Sequence, residues 1–288
     1  MNHPVTERKL RVAFQGERGA FSEEAAVRLL GEDIELVPRP TFEALYESIS
    51  EDAADKILAP IENSLAGSIH RSYDLLLECN LTITGETVIP VVHNLIARPG
   101  AEFGDVQIVQ SHPVALAQCE RFFRAHPAIK RIATEDTAGS VRQMMEQSDK
   151  TRAAIAGRRA AEIYGAVVLR DHLEDHPENY TRFLLLAPLT ESFVTRADKL
   201  SLVLKLAHRP GALHHALEPF ANRGIDLLKI ESRPVRGAPW QYHFYLDLQA
   251  SMDDERAAEA LRELRARADE VRVLGCYPSA KNQFASQH

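Results

Sequence analysis

Three polar clusters carry the residue types that acid–base chemistry on a small anion needs: Glu62-Asn63-Ser64, Ser111-His112-Pro113 and Asn179-Tyr180-Thr181-Arg182-Phe183. They combine a carboxylate, an imidazole, hydroxyls, amides and a guanidinium, groups able to move a proton or grip a carboxylate. Each borders a short apolar run: Ile57-Leu58-Ala59-Pro60 before the first, Val106-Gln107-Ile108-Val109 before the second, and Phe183-Leu184-Leu185-Leu186-Ala187 at the end of the third. Runs of this length suit buried parallel strands. In open α/β sheets, ligands bind beyond the carboxyl ends of strands, so these clusters predict one site assembled from distant segments.

The elements that must position them repeat one grammar. Residues 11–14 lead into Gly16-Glu17-Arg18-Gly19-Ala20-Phe21-Ser22, residues 132–134 into Asp136-Thr137-Ala138-Gly139-Ser140, and residues 153–155 into Gly157-Arg158-Arg159. Each polar end opens a stretch rich in Ala, Leu, Glu and Arg that reads as a helix. Helix starts offer free backbone N–H groups and a positive dipole end. Ser22 and Thr137 there can therefore cap a helix or hold an anion, and an anionic small molecule is the expected guest.

Composition bounds the rest. A chain of 288 residues with 45% apolar content is long enough for two or more packed units. No apolar run approaches a membrane span and the first ten residues are polar without an apolar signal core, so a cytoplasmic protein is expected. A formal charge of −7, from 34 basic and 41 acidic residues interspersed, argues against a nucleic-acid surface. Cys79, Cys119 and Cys276 are odd in number and far apart, which suits reduced thiols. Cys119 falls on the rhythm of Ala115, Leu116, Phe122 and Phe123 and reads as helix core. His172 and His176 could grip a metal from one helix face, but Pro177 follows at once and no third ligand is evident, so a loop and no metal are expected. Neither a dinucleotide fingerprint nor a P-loop is present: Gly16 and Gly19 lack a third glycine, and no Gly-Lys-Ser or Gly-Lys-Thr occurs.

The pattern changes after Ala187. Residues 188–198 read as a linker. Then follow a strand over 200–207, a turn at His208-Arg209-Pro210-Gly211, a helix over 212–222, a strand over 225–230, a break at Glu231-Ser232-Arg233-Pro234, a strand over 241–248, a helix around Ala257, Leu261, Leu264 and Ala268, and a strand over 271–276. This is βαββαβ, the ferredoxin-like plan, and such a unit commonly pairs with a second copy to cover its open sheet face.

The segments GERGAFSEEAA from Gly16, PIENSLAGSIHRSYDLL from Pro60, TGETVIPVVHNL from Thr84, SHPVALAQC from Ser111 and NYTRF from Asn179 resemble the prephenate dehydratase family, which includes plant-type arogenate dehydratases. The C-terminal stretch, with RPGAL from Arg209 and KIESRP from Lys229, is similar to the ACT regulatory domain of those enzymes. The resemblance implies a catalytic domain over 9–188 with two α/β lobes like type II periplasmic binding proteins, and an ACT domain over 198–279. It implies decarboxylating dehydration of prephenate to phenylpyruvate on the route to phenylalanine, with no cofactor. Thr181 is then the partner of the departing hydroxyl, Glu62 or His112 the proton source, and Ser22, Asn63, Ser64, Thr137 and Arg182 the donors to the carboxylates. Phe183 becomes an apolar wall. Feedback by phenylalanine is implied at Gly211, Ala212, Leu213, Asp226, Glu231, Ser232, Arg233 and Pro234, in a homodimer or homotetramer.

The chain departs from the family pattern at Val114, where Gln is usual, at Asp136, where a hydroxyl residue is usual, and at Asp226 and Leu228, where Asn and Thr are frequent. Asp136 faces the harder test, because a carboxylate repels a dianionic substrate unless it meets an Arg or caps a helix. The Asp-Thr-Ala-Gly form leans toward the plant-like branch and leaves arogenate open as substrate. The competing reading from another class is a non-catalytic, amino-acid-sensing binding protein.

Overall fold

The computed structural model describes residues 8–190, 197–235 and 237–280, which divide into two compact units. The first comprises the described residues up to Leu75 together with Val88–Phe183, and the second Leu76–Thr87 with the described residues from Leu184 onward. Part of the linker expected at 188–198, residues 191–196, lies outside the described residues.

The first unit contains two sheets. In one, β1 (Leu10–Gln15) runs parallel to β2 (Ile34–Arg39) and to β3 (Lys56–Asn63), with Ala13 opposite both Val37 and Ile57. A short antiparallel β4 (Gly67–Ser68) folds back on β3. Helices α1 (Phe21–Leu30), α2 (Phe42–Glu47) and the start of α3 (His70–Glu78) follow β1, β2 and β4. Ile57, Leu58 and Ala59 are wholly buried, as expected of a strand covered on both faces.

Strand β5 (Leu81–Pro90) leads to the second sheet. Its strands β6 (Asn94–Ala97), β7 (Ile108–Ser111), β8 (Lys130–Ala133), β9 (Arg152–Ala156) and β10 (Val167–Arg170) lie in the order β10-β6-β9-β7-β8. β7 is parallel to β8 and β9, whereas β6 is antiparallel to β9 and β10. The helices here are α4 (Pro113–Ala117), α5 (Glu120–Ala125), α6 (Thr137–Glu146) and α7 (Arg158–Tyr164). The single helix implied by Ala115, Leu116, Cys119, Phe122 and Phe123 is two short ones broken at Cys119, yet all five side chains share one buried cluster. His172, with φ 52°, stands in an irregular segment, the loop that the sequence predicts. The unit closes with the start of β11 (Tyr180–Pro188).

The second unit has the expected order: β12 (Lys199–Lys205), α8 (Ala212–Ala221), β13 (Leu227–Pro234), β14 (Tyr242–Leu248), α9 (Glu255–Arg267) and β15 (Glu270–Tyr277). Its antiparallel sheet runs β13-β14-β12-β15, and Leu200, Leu202, Leu204, Leu246 and Leu248 pack with Ala216, Phe220, Leu261 and Leu264 of the helices. The break expected at Glu231-Ser232-Arg233-Pro234 is absent: β13 continues through it, Arg233 lying opposite His243 and Pro234 opposite Tyr242. A proline is tolerated there because it ends an edge strand. The N-terminal segment of β5 also belongs to this unit, where Glu86 accepts from Lys199 Nζ at 2.7 Å and from Ala280 N at 2.8 Å.

Among the described residues, no helix is long and apolar enough to cross a membrane.

Candidate active site

The carboxyl ends of β1, β3, β7 and β8 converge on one cavity of about 380 Å3 within the first unit. Gln15 ends β1 and Gly16 follows it, Asn63 ends β3, His112 follows β7, and Asp136 and Thr137 follow β8; Thr181 and Phe183 enter from β11. The lining is mostly apolar, with Phe21, Phe42, Ile69, Val91 and Phe183 among its walls. Phe183, one of these walls, is 2% exposed.

A directional hydrogen-bond chain runs along one side. Asn63 Oδ1 accepts from the backbone N–H of Leu65 (3.0 Å) and Ala66 (2.8 Å), which fixes the orientation of its amide. Asn63 Nδ2 therefore donates, its two hydrogens shared among Asn179 Oδ1 at 2.8 Å, Thr181 Oγ1 at 3.0 Å and the Tyr180 carbonyl at 3.1 Å. Asn179 Nδ2 then donates to Gln118 Oε1 at 3.0 Å, so that oxygen is an acceptor and His93 Nε2, 2.8 Å away, must carry the proton. Two consequences follow. The Thr181 oxygen is already an acceptor, and no acceptor among the described residues takes its hydroxyl proton, which is left for the cavity. His93 Nδ1 is a bare lone pair, buried and without a partner among the described residues. Burial holds the His93 imidazole below its usual pKa, so it is neutral at pH 7.

His112 caps α4, its Nδ1 accepting from Val114 N at 3.2 Å, which leaves Nε2 as the protonated nitrogen of the neutral ring. Burial lowers its pKa, partly opposed by Asp136. Asp136 caps α6 by accepting from Gly139 N at 2.6 Å. Burial raises the pKa of this carboxyl, against the helix-start amides that lower it. The other helix start at the cavity, that of α1, follows Ala20, which supplies no side-chain cap, and Phe21 and Ser22 line the cavity. Buried Glu23 braces the preceding turn, accepting from Gly19 N (3.0 Å), Arg18 Nε (2.8 Å) and Arg159 Nε (2.9 Å).

Of the residues predicted for catalysis and substrate binding, Ser22, Asn63, His112, Thr137, Thr181 and Phe183 line the cavity, and Glu62, Ser64 and Arg182 do not. Glu62 lies opposite Ser68 in the β3–β4 ladder. Ser64 Oγ donates to the Glu178 carbonyl at 2.8 Å and accepts from Tyr180 N at 2.9 Å, tying β3 to β11. Arg182 falls between Thr181 and Phe183, and strand alternation turns it to the other face. Neither Ser22 nor Thr137 is a helix cap; Ala20 and Asp136 hold those positions. Three residues went unassigned beforehand: Phe21, His93 and Gln118. A signal existed for His93, which interrupts the apolar run from Val91 to Leu95.

In the second unit, Gly211 takes φ 80° before α8, and Ala212 and Leu213 line a cavity of about 130 Å3 with His208, Trp240 and Tyr242. Asp226 and residues 231–234 lie outside that lining.

Two α/β sheets around a small-molecule cavity, followed by a ferredoxin-like unit, define a binding-protein-like enzyme with an appended regulatory fold. Residues 12–190 match the family model described as prephenate dehydratase and residues 201–266 that of the ACT domain, and the chain belongs to the prephenate dehydratase family, whose activity is that of a carbon–oxygen lyase. It is 44% identical over 281 residues to arogenate dehydratase/prephenate dehydratase 2, chloroplastic, of Arabidopsis thaliana, covering 94% of this chain and 73% of that protein. Among solved structures it is similar to a prephenate dehydratase from Arthrobacter aurescens in complex with L-Phe (32% identity, TM-score 0.87, 95% of this chain and 92% of that one). It is also similar to a chain described as a novel type of quorum-quenching acylase (29% identity, TM-score 0.87, 95% and 99%).

Proposed function

We propose that this cavity carries out the decarboxylating dehydration of prephenate to phenylpyruvate, with Thr181 donating to the departing hydroxyl. The bond from ring to carboxylate breaks, its electron pair completes the aromatic ring, carbon dioxide leaves, and the carbon–oxygen bond breaks as the hydroxyl takes up a proton to become water. Aromatisation drives the step, and the poor leaving group limits it. The observation that carries the reading is the Thr181 hydroxyl: its oxygen accepts from Asn63, so its hydrogen is directed to the cavity. The amides at the start of α1, with Ser22 and Thr137, supply neutral donors for carboxylates, and His112 Nε2–H is the second protonated group at hand. Apolar walls exclude water and strengthen each of these contacts. Ser64 acts from outside the cavity by tying β3 to β11.

Product formation from prephenate tests this directly. Thr181→Val is expected to lower kcat by about 100-fold or more with little change in KM, and Thr181→Ser to retain most activity. Comparable turnover by the valine variant would remove Thr181 from the chemistry.

The reading extends to residues 9–188 as the catalytic domain and 198–279 as the regulatory one. Phenylalanine is the proposed effector, bound near Gly211–Leu213 where chains pair as a homodimer or homotetramer. Differential affinity for two states of the enzyme would couple it to the cavity. Cys79, Cys119 and Cys276, none of them in a disulfide, favour a reducing compartment such as the cytoplasm. Activity and melting temperature indifferent to millimolar phenylalanine would end the feedback proposal.

A further inference from the structure

We propose that Asn179, a wholly buried side chain outside the cavity lining, is a positioning residue for the reaction: its amide sets which way the donors of Asn63 and Gln118 point. This role rests on the dehydratase reading of the cavity and deepens it, because it concerns the residue that stands behind Asn63 and Thr181.

Asn179 joins the ends of two elements. Its Oδ1 accepts at 2.8 Å from Asn63 Nδ2, at the end of β3, and its Nδ2 donates at 3.0 Å to Oε1 of Gln118, the residue that closes α4. Both partners line the cavity, and Asn179 itself is 0% exposed. Asn63 has only a donor to offer, since Leu65 N and Ala66 N already hold its oxygen. Gln118 offers the oxygen that His93 Nε2 also approaches at 2.8 Å. A side chain with an acceptor and a donor at one tip satisfies both neighbours, and a buried amide is costly unless both its ends are bonded. The consequences reach the cavity. Asn63 keeps its remaining hydrogen for Thr181 Oγ1 and the Tyr180 carbonyl. Gln118 keeps both hydrogens of Nε2, for which the described residues hold no acceptor.

The backbone already fills the scaffold role. Val91 N donates to the Asn179 carbonyl at 2.7 Å, while Ser64 Oγ donates to the Glu178 carbonyl at 2.8 Å and accepts from Tyr180 N at 2.9 Å. Residues 178–180 are thus held without the Asn179 side chain, which is left to direct polarity.

Asn179→Asp tests that direction, because a carboxyl has nearly the shape of the amide but takes its polarity from its proton. Protonated, it accepts from Asn63 and donates to Gln118 as the amide does. Ionised, it only accepts, and Gln118 must turn its NH2 away from the cavity to meet it. Burial raises the pKa of such a carboxyl above the ordinary range. The kcat for prephenate is measured at each pH as variant over parent, with conversion in the absence of enzyme subtracted. Dividing by the parent removes the titration of His93 and His112, which both proteins share. The ratio should fall about tenfold or more from pH 5 to pH 8, with KM changing less than kcat, while melting temperatures stay above that of the assay. A ratio that is flat across this range overturns the proposal. Where the aspartate variant does not fold, Asn179→Ala decides: kcat lowered about tenfold or more at an unchanged dissociation constant for prephenate supports the role, and unchanged kcat overturns it. A parent that forms product from neither prephenate nor arogenate sinks the dehydratase reading itself, a result distinct from an active parent with a flat ratio.

Discussion

Thr181 and Asp136 show how little of a residue's role lies in its own chemistry. A threonine hydroxyl is a weak acid, and what distinguishes Thr181 is that Asn63 Nδ2 occupies its acceptor side. Asn63 can do so because two backbone amides hold its oxygen. The sequence shows both residues in motifs but not the bond that joins them, 118 positions apart. Gln118 is similarly illegible, since its function arises from accepting from two partners distant in the chain. Asp136 permits a prediction with a worked sign. Burial raises its folded pKa above the unfolded value, so the folded state binds more protons across that window and stability is lost as pH rises through it. Above the window the buried carboxylate costs stability. Asp136→Asn should therefore melt higher than the parent at pH 7, and the gap should close toward pH 3. A variant that melts lower at pH 7 would show that the ionised cap on α6 outweighs the cost of burying it.

Strand–turn–helix units place these residues, and that level was the most legible in the sequence. Apolar runs ending in polar clusters are β1, β3, β7, β8 and β9, β11 begins with its cluster, and the cavity lies at the ends of parallel strands among them. The helix rhythm around Cys119 misled as to continuity because periodicity reports which face is buried, not whether the backbone pauses. The break expected at residues 231–234 failed for a comparable reason: Pro234 signals an interruption, but at an edge strand's end the missing N–H costs nothing. Close packing between turns leaves no sequence trace. Gly19, at φ 85°, presses on α7 so that a Cβ would stand 2.7 Å from Ala160 Cα. Gly157 sits at φ −66°, which any residue adopts, yet a Cβ there would meet the Phe21 ring at 3.1 Å. Gly157→Ala should thus leave the backbone unstrained and act through Phe21, which also meets His93 edge-on at 5.9 Å. Expected are a several-fold rise in substrate KM and a stability change within about 2 kcal/mol. An unchanged KM would mean that Phe21 is only packing.

At the scale of the whole chain, composition foretold two cores and their mixed α/β character but not how they titrate. Twelve histidines in a sequence carry no hint of which are buried. The fold holds His93, His112 and His243 below their usual pKa, burial being the largest cause for each. For His243, Lys205 adds to the depression and Glu270 opposes it. The unfolded chain takes up protons on these rings near pH 6.5. Between that value and each lower folded pKa, the unfolded state binds more protons, so stability rises with pH. The contribution is complete above about pH 6.5 and is lost as pH falls through the folded values, at up to about 1.4 kcal/mol per pH unit for each ring. Carboxyls raised by burial, Glu24 and Asp136, have the opposite sign. Their windows open near the unfolded carboxyl range around pH 4, and there stability falls as pH rises. Thermal melts from pH 8 to pH 5 should be flat at first and then fall. His93→Gln should blunt the fall, because glutamine does not titrate. A melting temperature that holds steady from pH 7 to pH 5 would mean that these rings protonate in place, and that His93 Nδ1 is not the bare acceptor the hydrogen-bond chain makes it.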